Sequence, residues 1–294
     1  MTSLIALISN PAAKNTSEKK IDLACRFLTS KGYEVEKLST KQRGDAETLA
    51  REAVKKAPSL IIAAGGDGTF SEVMNGLIGS DIPMAILPLG TTNVLARELN
   101  IPGDVEGSME IAVRGKPRGI SLGKIVLTGR NSSLPRHFCL MAGIGYDGET
   151  VFRINETLKK VWGKGAYIYS GITTLLQFKP SVLTFNIDGK MYSGYAAIIG
   201  NAAKYGGNFT VTPDARITDP ALYVCLFKGA RRPDFFRYVF GIITKTHLRY
   251  EDVVYLKAEK IEIAGSSHVQ VDGDYLGTTP AKVEVVRDAL KLVF

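Results

Sequence analysis

A segment that passes from a buried strand through a glycine-rich turn into a helix limits the folds open to this chain more than any other feature. The apolar run Leu60–Ala64 is followed at once by Gly65-Gly-Asp-Gly-Thr69, and apolar residues then recur at helical spacing up to Leu77. N–H groups at the start of a helix, backed by the helix macrodipole, favour bound phosphate. The segment therefore predicts an anion-binding turn at the carboxyl end of a strand.

A second turn of the same kind follows in the sequence. Pro88-Leu-Gly-Thr-Thr-Asn93 comes after the apolar strand Met84–Leu87 and precedes a predicted helix over 92–99. Open α/β sheets bind ligands at the carboxyl ends of their strands. We therefore expect the two turns to line one crevice, although each alone could be a tight turn without a ligand.

Two side chains of the first turn carry further predictions. Thr69 and Glu72 have the spacing of a capping box, which predicts that the helix begins at Thr69. The carboxylate of Asp67 would be repelled by a polyphosphate unless it holds Mg²⁺ or a proton. The spacing matches neither the dinucleotide GxGxxG pattern nor the GxxxxGK[ST] P-loop.

The order of the predicted elements indicates two domains. Up to about residue 120, apolar strands such as 4–8 alternate with helices such as 18–28 and 46–54, a pattern typical of a parallel sheet covered on both faces. Beyond it, most segments alternate as strands, and Asp188-Gly189 and Asp272-Gly273 predict hairpin turns. We predict an α/β domain over 1–122 and a β-rich domain over 123–294.

Net charge, cysteine content and the length of apolar runs indicate which partners, which compartment and which kind of membrane contact to expect. The chain has 37 Lys and Arg against 29 Asp and Glu, a net charge of +8, which favours nucleotides, nucleic acids or anionic membranes unless it is only a solvated surface. Its 3 cysteines lie far apart in apolar segments, as expected of free thiols in a cytoplasmic protein. The longest apolar runs are too short to span a bilayer, so any membrane contact is expected to be peripheral.

The motifs together resemble the diacylglycerol kinase catalytic family, which includes bacterial lipid kinases and sphingosine kinases. The matching stretches occur in family order across nearly the whole chain. They are Ser9–Ala13, Gly65–Thr69 with Glu72–Gly76, Pro88–Asn93, Gly143–Asp147, Tyr205–Gly207, Pro213–Ile217 and Val271–Asp274.

The resemblance implies a fold, cofactors and site residues. It implies an NAD-kinase-like nucleotide-binding domain, a lipid-binding β-sandwich, ATP and Mg²⁺. Asp274 and Asp67 would be catalytic, Asp274 as the proton acceptor, and Asp147 would contact the substrate. The nucleotide residues would be Asn10, Pro11, Ala12, Ala13, Lys14, Thr40, Gly65, Gly66, Asp67, Gly68, Thr69, Glu72, Gly90, Thr91 and Asn93, and the residues of a structural metal would be Arg216, Asp219 and Ala221.

The chain departs from the family pattern at several acidic positions. Val94 and Ser121 stand where the family has Asp, and Thr218 and Pro220 replace the Asp and Gly of its usual Asp-Asp-Gly. Asp274 stands where the family usually has Glu, which shortens the proton acceptor by one methylene. These departures weaken the acidic surroundings of the implied metal.

We therefore predict an ATP- and Mg²⁺-dependent lipid kinase that phosphorylates a lipid alcohol, most simply diacylglycerol, while transiently at the inner membrane surface. Two alternatives remain: a kinase of a soluble substrate, such as an NAD kinase, and a catalytically weak protein that binds nucleotide or lipid. No nucleic-acid partner is expected, and a homodimer stays open.

For several residues, a purely structural role is an alternative to the functional one. Asp274 could be only the flank of a hairpin turn, and Asp147 only a loop or cap residue. The stretch 153–169, which mixes Lys, Trp and Tyr with apolar residues, fits either a membrane-docking element or an ordinary packed helix. Arg231-Arg232 and Lys245–Arg249 could likewise be solvated surface.

Overall fold

The chain divides into two compact units in a computed structural model that describes residues 3–129, 134–153 and 177–294. Unit 1 comprises Met1–Ile120 and Asp288–Phe294, and unit 2 comprises Ser121–Arg287.

Unit 1 is built on a parallel sheet with the strand order β2-β1-β3-β4. Nearly every residue of β1, β3 and β4 is buried, as expected of strands covered on both faces. The elements of this unit are β1 (Ser3–Ser9), α1 (Glu18–Ser30), β2 (Tyr33–Ser39), α2 (Asp45–Val54), β3 (Leu60–Gly65), α3 (Asp67–Leu77), β4 (Met84–Pro88), α4 (Val94–Glu98), α5 (Val105–Arg114) and the start of β5 (Pro117–Leu127).

Helices cover the sheet in pairs. Apolar residues of α1 and α5 pack with alternate residues of the strands in one core, and α2 packs beside α3. Ser17 caps α1 by accepting from the N–H of Lys20, and Asp104 caps α5 by accepting from the N–H of Gly107. The predicted α/β domain with a parallel sheet is confirmed.

The last residues of the chain belong to unit 1. The sequence predicts a boundary at residue 122; the compact units divide between Ile120 and Ser121, and residues 288–294 return to unit 1. The last strand, β18 (Ala281–Val293), pairs in parallel with β4 through Leu292 and Met84, and Val293 lies in the α1–α5 core. Periodicity within a single strand does not say which sheet that strand joins, so this pairing could not be read from the sequence.

Unit 2 is a sandwich of antiparallel sheets. One sheet has the order β14-β13-β10-β7-β16-β17, and the other contains β15 paired with β18 and β8, and β8 paired with β9. Its strands are β6 (Arg136–Phe138), β7 (Met141–Ile144), β8 (Leu183–Ile187), β9 (Lys190–Gly194), β10 (Ala196–Gly200), β11 (Lys204–Tyr205), β12 (Phe209–Thr210), β13 (Leu222–Phe227), β14 (Val253–Ala258), β15 (Lys260–Ala264), β16 (His268–Val271) and β17 (Asp274–Thr278), and most of β5 belongs here as well.

The core of unit 2 lies between the two sheets. Phe185, Ile261 and Val283 from one sheet pack in one cluster with Ile199 and Val224 from the other. The predicted β-rich second domain is confirmed. Both predicted hairpin turns are present, with Asp188, Gly189, Asp272 and Gly273 all at positive φ.

Helices accompany this sandwich as well. Among the described residues they are α6 (Tyr146–Arg153) and α7 (Arg232–Ile243), and a short 3₁₀ turn at His247–Arg249 follows α7. Nearly all of the stretch 153–169, for which the sequence leaves open a membrane-docking element or a packed helix, lies outside the described residues. Within the described part of the chain, no helix is both long and apolar enough to cross a bilayer.

Candidate functional site

The two glycine-rich turns of unit 1 lie side by side. Strands β3 and β4 are parallel neighbours whose last residues, Gly65 and Pro88, are paired. The N–H of Leu89 donates to the carbonyl of Gly65 at 2.7 Å, and a Cβ on Gly66 would lie only 3.2 Å from the Cα of Gly90. The turns therefore touch through two glycines, and the absence of side chains there keeps the backbone open to a bulky ligand.

Asp67 ties the two turns together. Its carboxylate accepts the N–H groups of Val94 at 3.0 Å and Leu95 at 3.1 Å, the first residues of α4. Burial raises the pKa of Asp67, and these two hydrogen bonds act in the opposite direction. Asp67 thus has a positioning role for the second turn that the sequence did not reveal.

The predicted capping box is wrong. Helix α3 begins at Asp67, after the N-cap Gly66, and no side chain caps it. The hydroxyl of Thr69 instead accepts from the side-chain amide of Asn10 at 3.2 Å. The carboxylate of Glu72 accepts the N–H groups of Gly44 at 3.0 Å and Ala46 at 3.2 Å, at the start of α2, so Glu72 caps a neighbouring helix.

The other predicted nucleotide residues follow strands of the same sheet. Asn10 comes directly after β1, where its N–H donates to the carbonyl of Ala64 at 2.9 Å, and its side-chain oxygen accepts from Ala12. Thr40 comes directly after β2 and donates to Ser9. The side chain of Asn93 hydrogen-bonds to both backbone groups of Gly90. All these residues therefore lie at the carboxyl edge of the parallel sheet, including the segment 11–14 and Thr91.

In unit 2, Asp147 is the centre of a buried polar cluster. The side chain is 6% exposed, in the first turn of α6. Its carboxylate accepts a hydrogen bond from the hydroxyl of Tyr205 and another from Nε2 of Gln270 at 2.6 Å. Burial raises the pKa of Asp147, while both donors act to lower it. We call Asp147, Tyr205 and Gln270 the acceptor cluster.

Asp274 follows Gln270, a member of the acceptor cluster, across the turn between two strands. It is the half-buried first residue of β17, just after the Asp272-Gly273 turn. Gln270 connects the two places, because its Nε2 donates to Asp147 while its Oε1 accepts from the N–H of Gly273 at 2.8 Å. The carboxylate of Asp272 holds the turn by accepting three backbone N–H groups, from Cys139, Leu140 and Met141.

Gln270 belongs to none of the predicted site residues, and Tyr205 is predicted only as a member of the Tyr205–Gly207 motif. One signal for Gln270 was present in the sequence, namely an amide between Val269 and Val271 in a short strand that leads into the Asp-Gly-Asp turn. Tyr205 carried no such signal, because its contact with Asp147 joins residues that are 58 positions apart.

The predicted metal residues lie in one loop of unit 2. The N–H of Asp219 donates to the carbonyl of Arg216 at 2.9 Å, and Asp219 supplies the only carboxylate of the set Arg216, Asp219 and Ala221. Over the described ranges 3–129, 134–153 and 177–294, no group of three or more His, Cys, Asp or Glu is placed to hold a metal. The donors here do not fit a closed protein cage for Mg²⁺, and this site stays a prediction.

Comparisons with known proteins agree on one family for both units. A profile of the diacylglycerol kinase catalytic domain matches residues 4–125, and a profile of the YegS C-terminal NAD kinase beta sandwich-like domain matches residues 141–294. A diacylglycerol kinase of Bacillus subtilis is 29% identical over 286 residues, covering 94% of this chain and 91% of the relative. One from Staphylococcus aureus is 28% identical over 284 residues, covering 94% and 87%.

Solved structures show the same fold. A diacylglycerol kinase from Bacillus anthracis superposes with a TM-score of 0.73 at 21% identity, covering 99% of this chain and 96% of that one. Yeast NADH kinase, solved with NADH, superposes with a TM-score of 0.58 at 11% identity, covering 99% and 83%. At these identities the likeness concerns the fold alone.

Proposed function

The chain belongs to the diacylglycerol kinase family, and from that premise we propose that it transfers the γ-phosphoryl group of ATP to the hydroxyl of a lipid alcohol, most simply diacylglycerol. The observation that carries the proposal is the contact between the two turns at Gly66 and Gly90. At this contact, two residues without side chains lie at the carboxyl edge of a parallel sheet, where phosphates bind in open α/β sheets.

Phosphoryl transfer depends on positioning and on neutralising charge rather than on covalent chemistry by the protein. The first turn of α3 directs N–H groups that have no acceptor within the helix toward its start. We assign binding of the ATP phosphates to this turn and to the second turn around Gly90. Asp67 keeps the second turn in place through Val94 and Leu95.

The acceptor hydroxyl must lose its proton during transfer. We assign the role of proton acceptor to Asp274, whose position is fixed by the turn that Asp272 and Gln270 hold. Asp147 belongs to the same hydrogen-bonded corner and would orient the hydroxyl-bearing part of the lipid. Burial raises the pKa of Asp147, and its carboxylate accepts hydrogen bonds from Tyr205 and Gln270 that hold it in this corner.

Mg²⁺ bound with the nucleotide would supply charge neutralisation at the phosphates. Asp67 is the carboxylate within the first turn that fits this role, and its raised pKa indicates that a cation nearby would stabilise its ionised form. The lipid acceptor would be met at an anionic membrane surface, to which a chain with a net charge of +8 is attracted.

A weak or inactive nucleotide-binding protein is a second candidate. Val94 and Ser121 stand where the family has aspartates, so neither position supplies a carboxylate. The backbone of Ser121 donates its N–H to Ile217 and accepts a hydrogen bond from the buried side-chain amide of Asn201.

Matched variants test the kinase proposal. Asp274→Asn keeps the shape of the side chain but removes the base, so we expect kcat with diacylglycerol in mixed micelles to fall by roughly 100-fold or more. Asp81→Asn, which changes an exposed carboxylate paired with Lys291, should keep full activity. If wild type phosphorylates NAD and not the lipid, the chain is a soluble-substrate kinase. Binding of ATP without transfer to either acceptor would support the second candidate.

A further inference from the structure

An apolar stripe is exposed along α7 in unit 2. Phe236, Phe240 and Ile243 recur at i, i+4 and i+7, so they lie on one face of the helix. They are 47%, 64% and 55% exposed. A helix of a folded protein ordinarily turns such a face toward the core, and a contiguous exposed row marks an interaction surface. We call these residues the α7 stripe.

The opposite face of α7 is buried in unit 2, which leaves the α7 stripe exposed to solvent. Phe235, Tyr238 and Gly241 are buried on that face. The hydroxyl of Tyr238 accepts the N–H of Gly229 at 2.7 Å and donates to the carboxylate of Asp252 at 2.5 Å. The helix therefore cannot roll to bury the stripe without breaking these buried contacts.

Basic side chains flank the stripe in the sequence. Arg231 and Arg232 stand at the amino end of α7, and Lys245 and Arg249 follow its carboxyl end, all of them exposed. Within the described residues, the structure gives none of these four cations an ion-pair partner. An apolar row bordered by free positive charge complements an anionic lipid surface.

The anchored face of α7 packs against the corner that carries the acceptor cluster. The ring of Phe235 lies 5.6 Å from that of Tyr146 and 5.0 Å from that of Phe178. Tyr146 immediately precedes Asp147. A surface seated on the α7 stripe would therefore lie on the outer side of the helix that supports the predicted acceptor site.

We propose that the α7 stripe and its flanking cations dock unit 2 onto an anionic lipid surface, which deepens and rests on the proposed lipid-kinase function. The aromatic and aliphatic side chains enter the interface, and the arginines and lysines contact headgroups. A second copy of the chain fits less well. A two-fold interface through this face would bring the same four cations of each copy toward one another.

Sedimentation with vesicles tests the docking without using activity. Wild type should bind phosphatidylcholine vesicles that contain phosphatidylglycerol and should lose binding as salt is raised. The double variant Phe236→Ser/Phe240→Ser should bind roughly tenfold more weakly. Met191→Ser removes an apolar side chain that is 65% exposed on β9, and it should bind as wild type does.

Charge variants complete the test. Arg231→Glu/Arg232→Glu should weaken binding to the anionic vesicles, whereas Lys190→Glu, an exposed lysine of β9, should change it little. Equal binding by wild type and the double serine variant would overturn the proposal. A wild-type dimer that the same variant converts to a monomer would also overturn it, in favour of an interface between copies.

An activity measurement separates this proposal from the kinase proposal. With a short-chain diacylglycerol that stays monomeric in water, the double serine variant should phosphorylate as fast as wild type, while its rate on vesicles falls. If wild type binds vesicles through the stripe but phosphorylates neither acceptor, docking stands and the kinase proposal fails. If the variant phosphorylates diacylglycerol in vesicles as fast as wild type does, the stripe has no docking role.

Discussion

Gly90→Ala tests whether the contact between the two turns organises the nucleotide site. A Cβ at position 90 would lie 2.5 Å from the Cα of Gly66 and 2.6 Å from Oδ1 of Asn93. Carbon atoms in contact normally stay more than 3 Å apart, and both neighbours belong to the turns themselves. One turn must therefore move away from the other, and the hydrogen bond from Gly90 to Asn93, 2.9 Å long, is stretched.

The expected loss of stability in Gly90→Ala follows from this steric overlap. Forcing extra volume into a packed site typically costs about 1–3 kcal/mol, so we expect the free energy of unfolding to fall by about that amount. Since the turns separate, affinity for ATP should fall as well. Denaturant unfolding followed by circular dichroism measures the first effect, and a nucleotide-binding titration measures the second.

Gly68→Ala is the matched control for stability. A Cβ at position 68 meets no atom within 4 Å, and the residue lies in the first turn of α3. Alanine in a helix is favoured over glycine by about 0.5–1 kcal/mol, so this variant should be as stable as wild type or more so. The account is refuted if Gly90→Ala unfolds like wild type and binds ATP with unchanged affinity.

Other substitutions test the remaining side chains. Asp67→Ala removes the acceptor that holds Val94 and Leu95, and we expect kcat to fall by roughly 100-fold; near-wild-type turnover would exclude Asp67 from the machinery. Asp147→Asn should gain stability relative to wild type as the pH rises above the ordinary carboxyl range, because burial raises the pKa of Asp147 and wild type loses stability as the pH rises toward that pKa; a difference in unfolding free energy that stays constant with pH would contradict the raised pKa. Asp272→Asn should cost about 1–3 kcal/mol by leaving a buried N–H unpaired, and Asp188→Asn, in an exposed turn of the same backbone type, should cost less.

Local patterns in the sequence were sufficient to predict most of unit 1. Short apolar runs gave β1, β3 and β4, because strands buried on both faces need no polar alternation. The observed ends of β1 and α2 lie within a residue of the predicted ones, at Ser3–Ser9 and Asp45–Val54. The adjacency of the two turns also followed, since consecutive apolar strands of such a sheet tend to be neighbours.

Contacts between distant segments could not be predicted in the same way. Glu72 satisfies the local rule for a capping box, but its carboxylate instead reaches the start of α2, 26 to 28 residues earlier in the chain. Gln270 contacts Asp147 from 123 residues away. Local spacing describes what a side chain could do within its own element, whereas the tertiary fold decides which partner it meets.

The measurement that tests the central claim most directly is transfer of labelled phosphate from ATP to a panel of lipid alcohols in mixed micelles, with Mg²⁺ and with a chelator. The account predicts labelling of one lipid alcohol, diacylglycerol being the simplest candidate, that disappears when the chelator is added. Nucleotide binding without labelling of any lipid would contradict it and would assign the two turns to binding alone.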